Sequence, residues 1–193
     1  SMVGPRIEYV DQVLPEVYPI YAATFEASLP EGGAELLQLF SKSYLKLNTA
    51  LAERAPWTLA HQDYRVENML FGNAENDEVT VIDWQGIGRG PGVYDLAYLL
   101  GGSMETELRR ENERDLVVAY HTELCSNGVE SYSLDSLWAD YGFAHLIGGL
   151  ATSVFAGGTL DLNNERGKEL ITMMSERHVT AALDHGGTGQ IPN

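Results

Sequence analysis

Cysteine and basic residues are both scarce in this chain. Only 12 of its 193 residues are Lys or Arg against 28 Asp or Glu, a formal charge of −16. Such an excess of negative charge repels a phosphate backbone, so nucleic acid is excluded as the expected partner. The lone cysteine, Cys125, has no mate for an internal disulfide, and no Cys/His spacing resembles a zinc site. A reducing compartment, and hence a cytoplasmic location, is the expectation. No basic segment leads into an apolar run near the start, so a secretion signal is not expected either. Ser1-Met2 reads as a cloning remnant ahead of, or including, a start methionine. An uncharged run, 141–160, is long enough to span a bilayer. His145, Thr152, Ser153 and several glycines dilute it, which favours a buried helix over contact with a membrane. Repeats and low-complexity linkers are lacking as well. Residues 1–193 are therefore expected to form a single domain, with 44% apolar residues to fill its core.

What is present reads as mainly helical. After an opening interrupted by Pro5, Pro15 and Pro19, residues 34–55 carry Leu36, Leu37, Phe40, Tyr44, Leu47 and Leu51 at helical spacing, and Pro56 ends that helix. Met69–Phe71 and Val79–Ile82 are short strand-like runs joined by the polar segment 72–78, a pattern that predicts an antiparallel hairpin. A Gly-rich stretch follows, with Gly86, Gly88, Gly90 and Gly92, and is expected to be a flexible loop. Further helices are predicted over 94–100, 105–126 with Ser103 as N-cap and Gly128 past its end, 134–156 and 164–184. The fold class is thus α+β, mainly α-helical, with one small hairpin.

Polar, ionisable residues crowd between apolar runs around that hairpin. Neighbouring strands lie ~5 Å apart, so Asn68, just before the first strand, and Asp83, just after the second, should emerge side by side. An amide oxygen and a carboxylate facing one point suit a hard cation such as Mg²⁺, which completes its shell with water and substrate phosphates. Asp63 enters the same area from the preceding loop and is free to act as a base.

His61-x-Asp63-x-x-x-x-Asn68 matches the catalytic loop of kinase-fold phosphotransferases, and Ile82-Asp83-Trp84 resembles the metal-binding strand end that follows it. The strings HQDYRVENMLF, VIDWQ and GPGVYDLAYLL together resemble the aminoglycoside phosphotransferase and choline kinase-like family, including its ecdysteroid kinase-like members. The resemblance covers three linked segments within residues 59–100. It implies the C-terminal lobe of a kinase-like fold and an ATP-dependent transfer of the γ-phosphate to the hydroxyl of a small molecule. It further implies that Asp63 accepts or orients the hydroxyl proton and that Asn68 and Asp83 hold Mg²⁺ on the ATP phosphates. Arg65 occupies a position where a cation could neutralise charge on the transferred group, although it could equally pair with Glu67 or Asp95. His61 would brace the turn near Asp83, and Asp95 would hydrogen-bond the catalytic-loop backbone.

The remaining candidates carry less. The glycines from Gly86 to Gly92 lack the Lys and Ser/Thr of a Walker motif. His121, His145, His178 and His185 are scattered singly, as surface or core histidines are. Tyr132, Trp138, Tyr141 and Phe143 are expected to pack the core, on helices that in this family also line the acceptor pocket. No glycine-rich strand-turn-strand precedes His61, and the only earlier lysines, Lys42 and Lys46, fall on a predicted helix, so the N-terminal nucleotide-binding lobe is expected to be absent. A catalytic lobe inactive on its own is then the first reading. The alternative is a non-catalytic binding or interaction module derived from such a lobe, and a metal-dependent hydrolase using the same cluster is a third. Partners beyond the hydroxyl acceptor would be a nucleotide-binding lobe or a second copy of the chain.

Overall fold

Helix α1 (Pro5–Phe25) opens the fold where a Pro-interrupted segment was expected. Pro5 stands at its first turn, where a missing N–H costs nothing, but Pro15 and Pro19 lie inside it and each removes a backbone donor. Packing outweighs that loss: Ile7, Leu14, Val17, Tyr21 and Phe25 are buried, and the helix lies along α7 (Gly148–Thr159). Gly157 and Gly158 permit the approach, since a Cβ at Gly157 would stand 2.5 Å from the Tyr21 ring and one at Gly158 2.3 Å from Val17. The computed structural model describes residues 2–73, 75–161 and 163–192; Ser1, read as a remnant, and Ala74 of the hairpin turn lie outside them.

The single helix expected over 34–55 is two, α2 (Gly33–Phe40) and α3 (Tyr44–Arg54). Ser41 breaks the run, donating its hydroxyl proton to the Gln38 carbonyl at 2.9 Å, a local bond of the kind that competes with the helical ladder. Lys42 therefore sits in a turn and only Lys46 on a helix. Residues 2–56 are helices and turns, with no strand among them.

Two separate antiparallel pairs follow. The predicted hairpin is present as β2 (Met69–Asn73) and β3 (Asn76–Val81), with Met69 opposite Val81 and Phe71 opposite Val79. The other pair was not foreseen: β1 (Trp57–Ala60) pairs with β4 (Gly88–Pro91), so the Gly-rich stretch is a strand and not a flexible loop. Backbone pairing needs no side chains, and Gly90 leaves room for Met2, whose N–H bonds to the Arg89 carbonyl at 2.9 Å.

The C-terminal helices are α4 (Val93–Ser103), α5 (Thr106–Ser126), α6 (Leu134–Ala144), α7 and α8 (Glu165–Asp184). Ser103 closes α4 instead of capping α5, whose cap is Glu105. The helix predicted over 134–156 is divided by a tight turn at 145–147, in which Leu146 and Ile147 bond back to Phe143 and Ala144. Among the described residues no helix is long and apolar enough to cross a membrane. Leu14, Tyr21, Leu37, Phe40, Tyr141, Leu150 and Val179 all belong to the one helical core, and the strands rest on its edge.

Candidate functional site

Strand β1 ends against the core and delivers His61, which is buried. Its Nε2 donates to the Ile82 carbonyl at 2.9 Å, which leaves Nδ1 to accept the Asp63 N–H at 3.3 Å. The ring thereby ties the start of the loop to the end of β3, and it meets Trp84 edge-on with centroids 4.8 Å apart. Asp95, in the first turn of α4, accepts the backbone N–H groups of His61 at 2.6 Å and Gln62 at 2.9 Å. Burial pushes the Asp95 carboxyl above the ordinary carboxylate range, against the opposing pull of those two N–H groups. The other end of the loop is held by Ser103, whose hydroxyl oxygen accepts the Val66 N–H at 3.1 Å.

Pinned in this way, the loop holds Gln62 at φ 69°, a left-handed backbone that residues with a Cβ seldom adopt. The turn aims Asp63 at α4. Its Oδ2 accepts from Asn68 Nδ2 at 3.0 Å and its Oδ1 from the Tyr98 hydroxyl at 3.2 Å. Arg65 Nε lies 3.4 Å from the same Oδ1, so the guanidinium pairs with Asp63 and with neither Glu67 nor Asp95. Tyr98 also stands 3.1 Å from the Thr152 hydroxyl on α7. Burial, then the Asp63 charge, holds the Tyr98 phenol above its usual pKa, so it remains a proton donor.

Asn68 is buried at the foot of β2, and its Nδ2 donates to both the backbone carbonyl and the carboxylate of Asp63. That leaves its Oδ1 as an acceptor. Asp83 follows β3 in a left-handed conformation, φ 62°, and its exposed carboxylate takes only a long 3.4 Å contact from Gln85. The Ile82 N–H bonds to the Asn68 carbonyl at 2.9 Å, so Asp83 stands one residue beyond Asn68's partner at the open end of the hairpin. An amide oxygen and an open carboxylate are a donor set that a hard cation fits.

Asp63, Gln62, Arg65 and Gln85 form one wall of a cleft of about 890 Å³. Arg6 of α1, Thr152 and Ala156 of α7, and Leu170, Ile171 and Met174 of α8 contribute to the others. Of the aromatic series singled out in the sequence, Tyr132, Tyr141 and Phe143 are buried, and none of the four lines this cleft. Gln62, Tyr98 and Thr152 were missed. The only signal for Tyr98 was its place three residues after Asp95, which puts both on one face of α4.

Residues 7–129 match the model of the ecdysteroid kinase-like family, a span that covers well over half of the chain and takes in every residue of the loop and hairpin. No curated protein and no solved structure matches the chain.

Proposed function

Because the chain belongs to the ecdysteroid kinase-like family, we propose that it is the catalytic lobe of a small-molecule kinase, transferring the γ-phosphate of ATP to a substrate hydroxyl. The observation that carries this reading is the fixed carboxylate of Asp63, held through both oxygens by Asn68 and Tyr98 at the wall of a cleft of about 890 Å³. A hydroxyl entering the cleft finds in Asp63 an acceptor for its proton, already oriented and needing no rearrangement. Arg65, paired with Asp63 on the cleft wall, would balance the growing negative charge of the transferred group. Asn68 and Asp83 would hold Mg²⁺, which supplies charge compensation for the ATP phosphates. The cleft combines apolar Ala156, Leu170, Ile171 and Met174 with polar Arg6, Thr152, Thr159, Asp161 and Asn164, a mixed lining that suits an acceptor with an apolar body bearing several polar groups. The exposed thiol of Cys125 suits a reducing, cytoplasmic compartment.

A second lobe completes the nucleotide site in this proposal. Leu59 on β1, Leu70 and Phe71 on β2, and Ile82, Trp84 and Ile87 on the segment between β3 and β4 are all exposed, Phe71 by 62%. An apolar surface of that kind marks an interaction face, and a two-stranded hairpin is marginal without cover. A nucleotide-binding lobe, or a second copy of the chain, would seat there. The test is transfer of the γ-phosphate from Mg-ATP to a panel of hydroxylated acceptors, by the chain alone and with a nucleotide-binding lobe from a two-lobed family member added. Transfer that needs the added lobe, falls 10²- to 10⁴-fold in Asp63→Asn and vanishes in Asp83→Ala is the expected result. Equal transfer by either variant would refute the assignment.

A further inference from the structure

Beside α4, three residues that no local sequence pattern connects come together. Glu113 lies midway along α5, His145 follows α6 and His185 follows α8. One ligand atom from each falls within 4.8 Å of the others. Glu113 and His145 are buried and His185 nearly so. We propose that Glu113, His145 and His185 form a structural site for a divalent transition-metal ion, with zinc as its natural occupant.

Four observations support it. First, the ligand chemistry is right: two imidazoles and a carboxylate are a set that tetrahedral zinc takes, leaving one position for water. Second, the spacing is close to what a metal needs. Bonds of about 2.05 Å at tetrahedral angles put ligand atoms roughly 3.4 Å apart. His185 Nε2 and Glu113 Oε2 stand at 3.2 Å in a hydrogen bond that the ion would replace, with the His185 proton moved to Nδ1 and His145 drawn inward.

Third, both ring nitrogens of His145 are buried with no hydrogen-bond partner. Buried polar groups are nearly always paired, and an imidazole with neither nitrogen satisfied needs an explanation. A metal ion would supply a partner for one of those two nitrogens.

Fourth, the surroundings already orient the carboxylate. Glu113 Oε2 accepts from Arg109 at 2.6 Å and from the Tyr141 hydroxyl at 2.9 Å. Ligating carboxylates are held by outer partners in this manner. Arg109 does not fill the site with positive charge, because it is shared with Asp184, which also pairs with Arg110, itself bonded to Glu107. Glu113 and Asp184 thus balance the two guanidiniums, so the charge of Arg109 does not stand unopposed beside the site. The ion would fasten the ends of α6 and α8 to the middle of α5.

The test is calorimetric titration of the chelator-stripped full chain with ZnCl₂, in excess Mg²⁺ so that oxygen sites such as Asp83 are already occupied. One equivalent is expected to bind, and Co²⁺ in its place to give visible d–d absorption that Zn²⁺ abolishes. Tyr141→Phe, which keeps every ligand but removes one outer hydrogen bond, should weaken binding about 10- to 100-fold. His145→Gln should remove it. The proposal is overturned by the absence of saturable heat and of Co²⁺ absorption in the wild type, as a buried water in place of the ion would produce. It is equally overturned by wild-type affinity in folded His145→Gln. Should His145→Gln not fold, the Tyr141→Phe shift decides, and unchanged affinity there overturns the proposal.

Discussion

Replacing Gln62 by glycine should stabilise the protein relative to replacing it by alanine, which is the reverse of the usual order. Gln62 sits at φ 69°, where a Cβ crowds the following carbonyl at a cost of about 1–2 kcal/mol. Glycine avoids that crowding but gives back about 0.5–1 kcal/mol through its larger unfolded-state freedom. The balance is roughly 1 kcal/mol in favour of glycine, which for a chain of this size is a difference in Tm of about 2–4 °C. Both variants lose the carboxamide, whose buried Nε2 has no hydrogen-bond partner, and both keep the N–H that bonds to Asp95. Their difference therefore isolates the backbone. Thermal unfolding followed by circular dichroism is the assay, with Ala97→Gly on α4 as a control that should melt lower than wild type. A Gln62→Gly variant melting at or below Gln62→Ala would show that the loop is not held in the left-handed conformation by its surroundings, and the account of how Asp63 is aimed would fail with it.

Three further outcomes are expected. Asp95→Asn turns an amide NH₂ toward one of the two N–H groups the carboxylate now accepts, a loss of about 1–3 kcal/mol, partly offset by removal of a desolvated charge; a lower urea midpoint at unchanged m-value checks it. Arg109→Ala strips a buried cation from Glu113 and Asp184 and should cost about 3–5 kcal/mol, read from the same unfolding curves. His178, fully enclosed by α4, α7 and α8, has its pKa lowered by burial to about 4. A depressed histidine pKa means that the unfolded chain binds the proton first, so the share of stability that His178 carries should be constant above pH 6.5 and be lost as pH falls from there to about 4, by ~3 kcal/mol. A His178→Gln variant with the same slope would reject that attribution.

The hairpin and the loop were legible because each is encoded locally. Short apolar runs on both sides of a polar turn define β2 and β3, and His61, Asp63, Asn68, Asp83 and Asp95 lie in three short strings. The β1–β4 pair was not legible, since its partners are 28 or more positions apart and one of them is Gly-Arg-Gly-Pro, which has almost no side-chain pattern to read. Pro15 and Pro19 argued correctly against helix on local grounds and were overruled by the burial of Val17 and Tyr21 against α7, a contact that depends on glycines more than 130 residues away. The same separation hid the Glu113, His145 and His185 cluster. Three ligands on three helices leave no spacing for a motif search to find.

The division of the molecule into a well-covered and a poorly covered part bears on how the proposed reaction would be controlled. His61, Asn68 and Asp95 are held by hydrogen bonds that link the loop to α4 and to the β3 end, so the proton acceptor is rigid whatever happens elsewhere. Asp83 is different: it is exposed and left-handed in backbone, and although His61 holds the neighbouring Ile82 carbonyl, the hairpin it ends has both faces open to solvent. The proposed base is thus built in advance, whereas one of the two proposed metal ligands sits on the element that lacks cover. Seating a nucleotide-binding partner on Leu70, Phe71 and Ile82 would order that hairpin and fix Asp83 at the moment the nucleotide arrives. Amide hydrogen exchange distinguishes this arrangement from a uniformly rigid site. The N–H of Gln62 should be strongly protected in the chain alone, while those of Thr80 and Val81 should gain protection only when the second lobe is bound; equal protection of both segments in the free chain would contradict it.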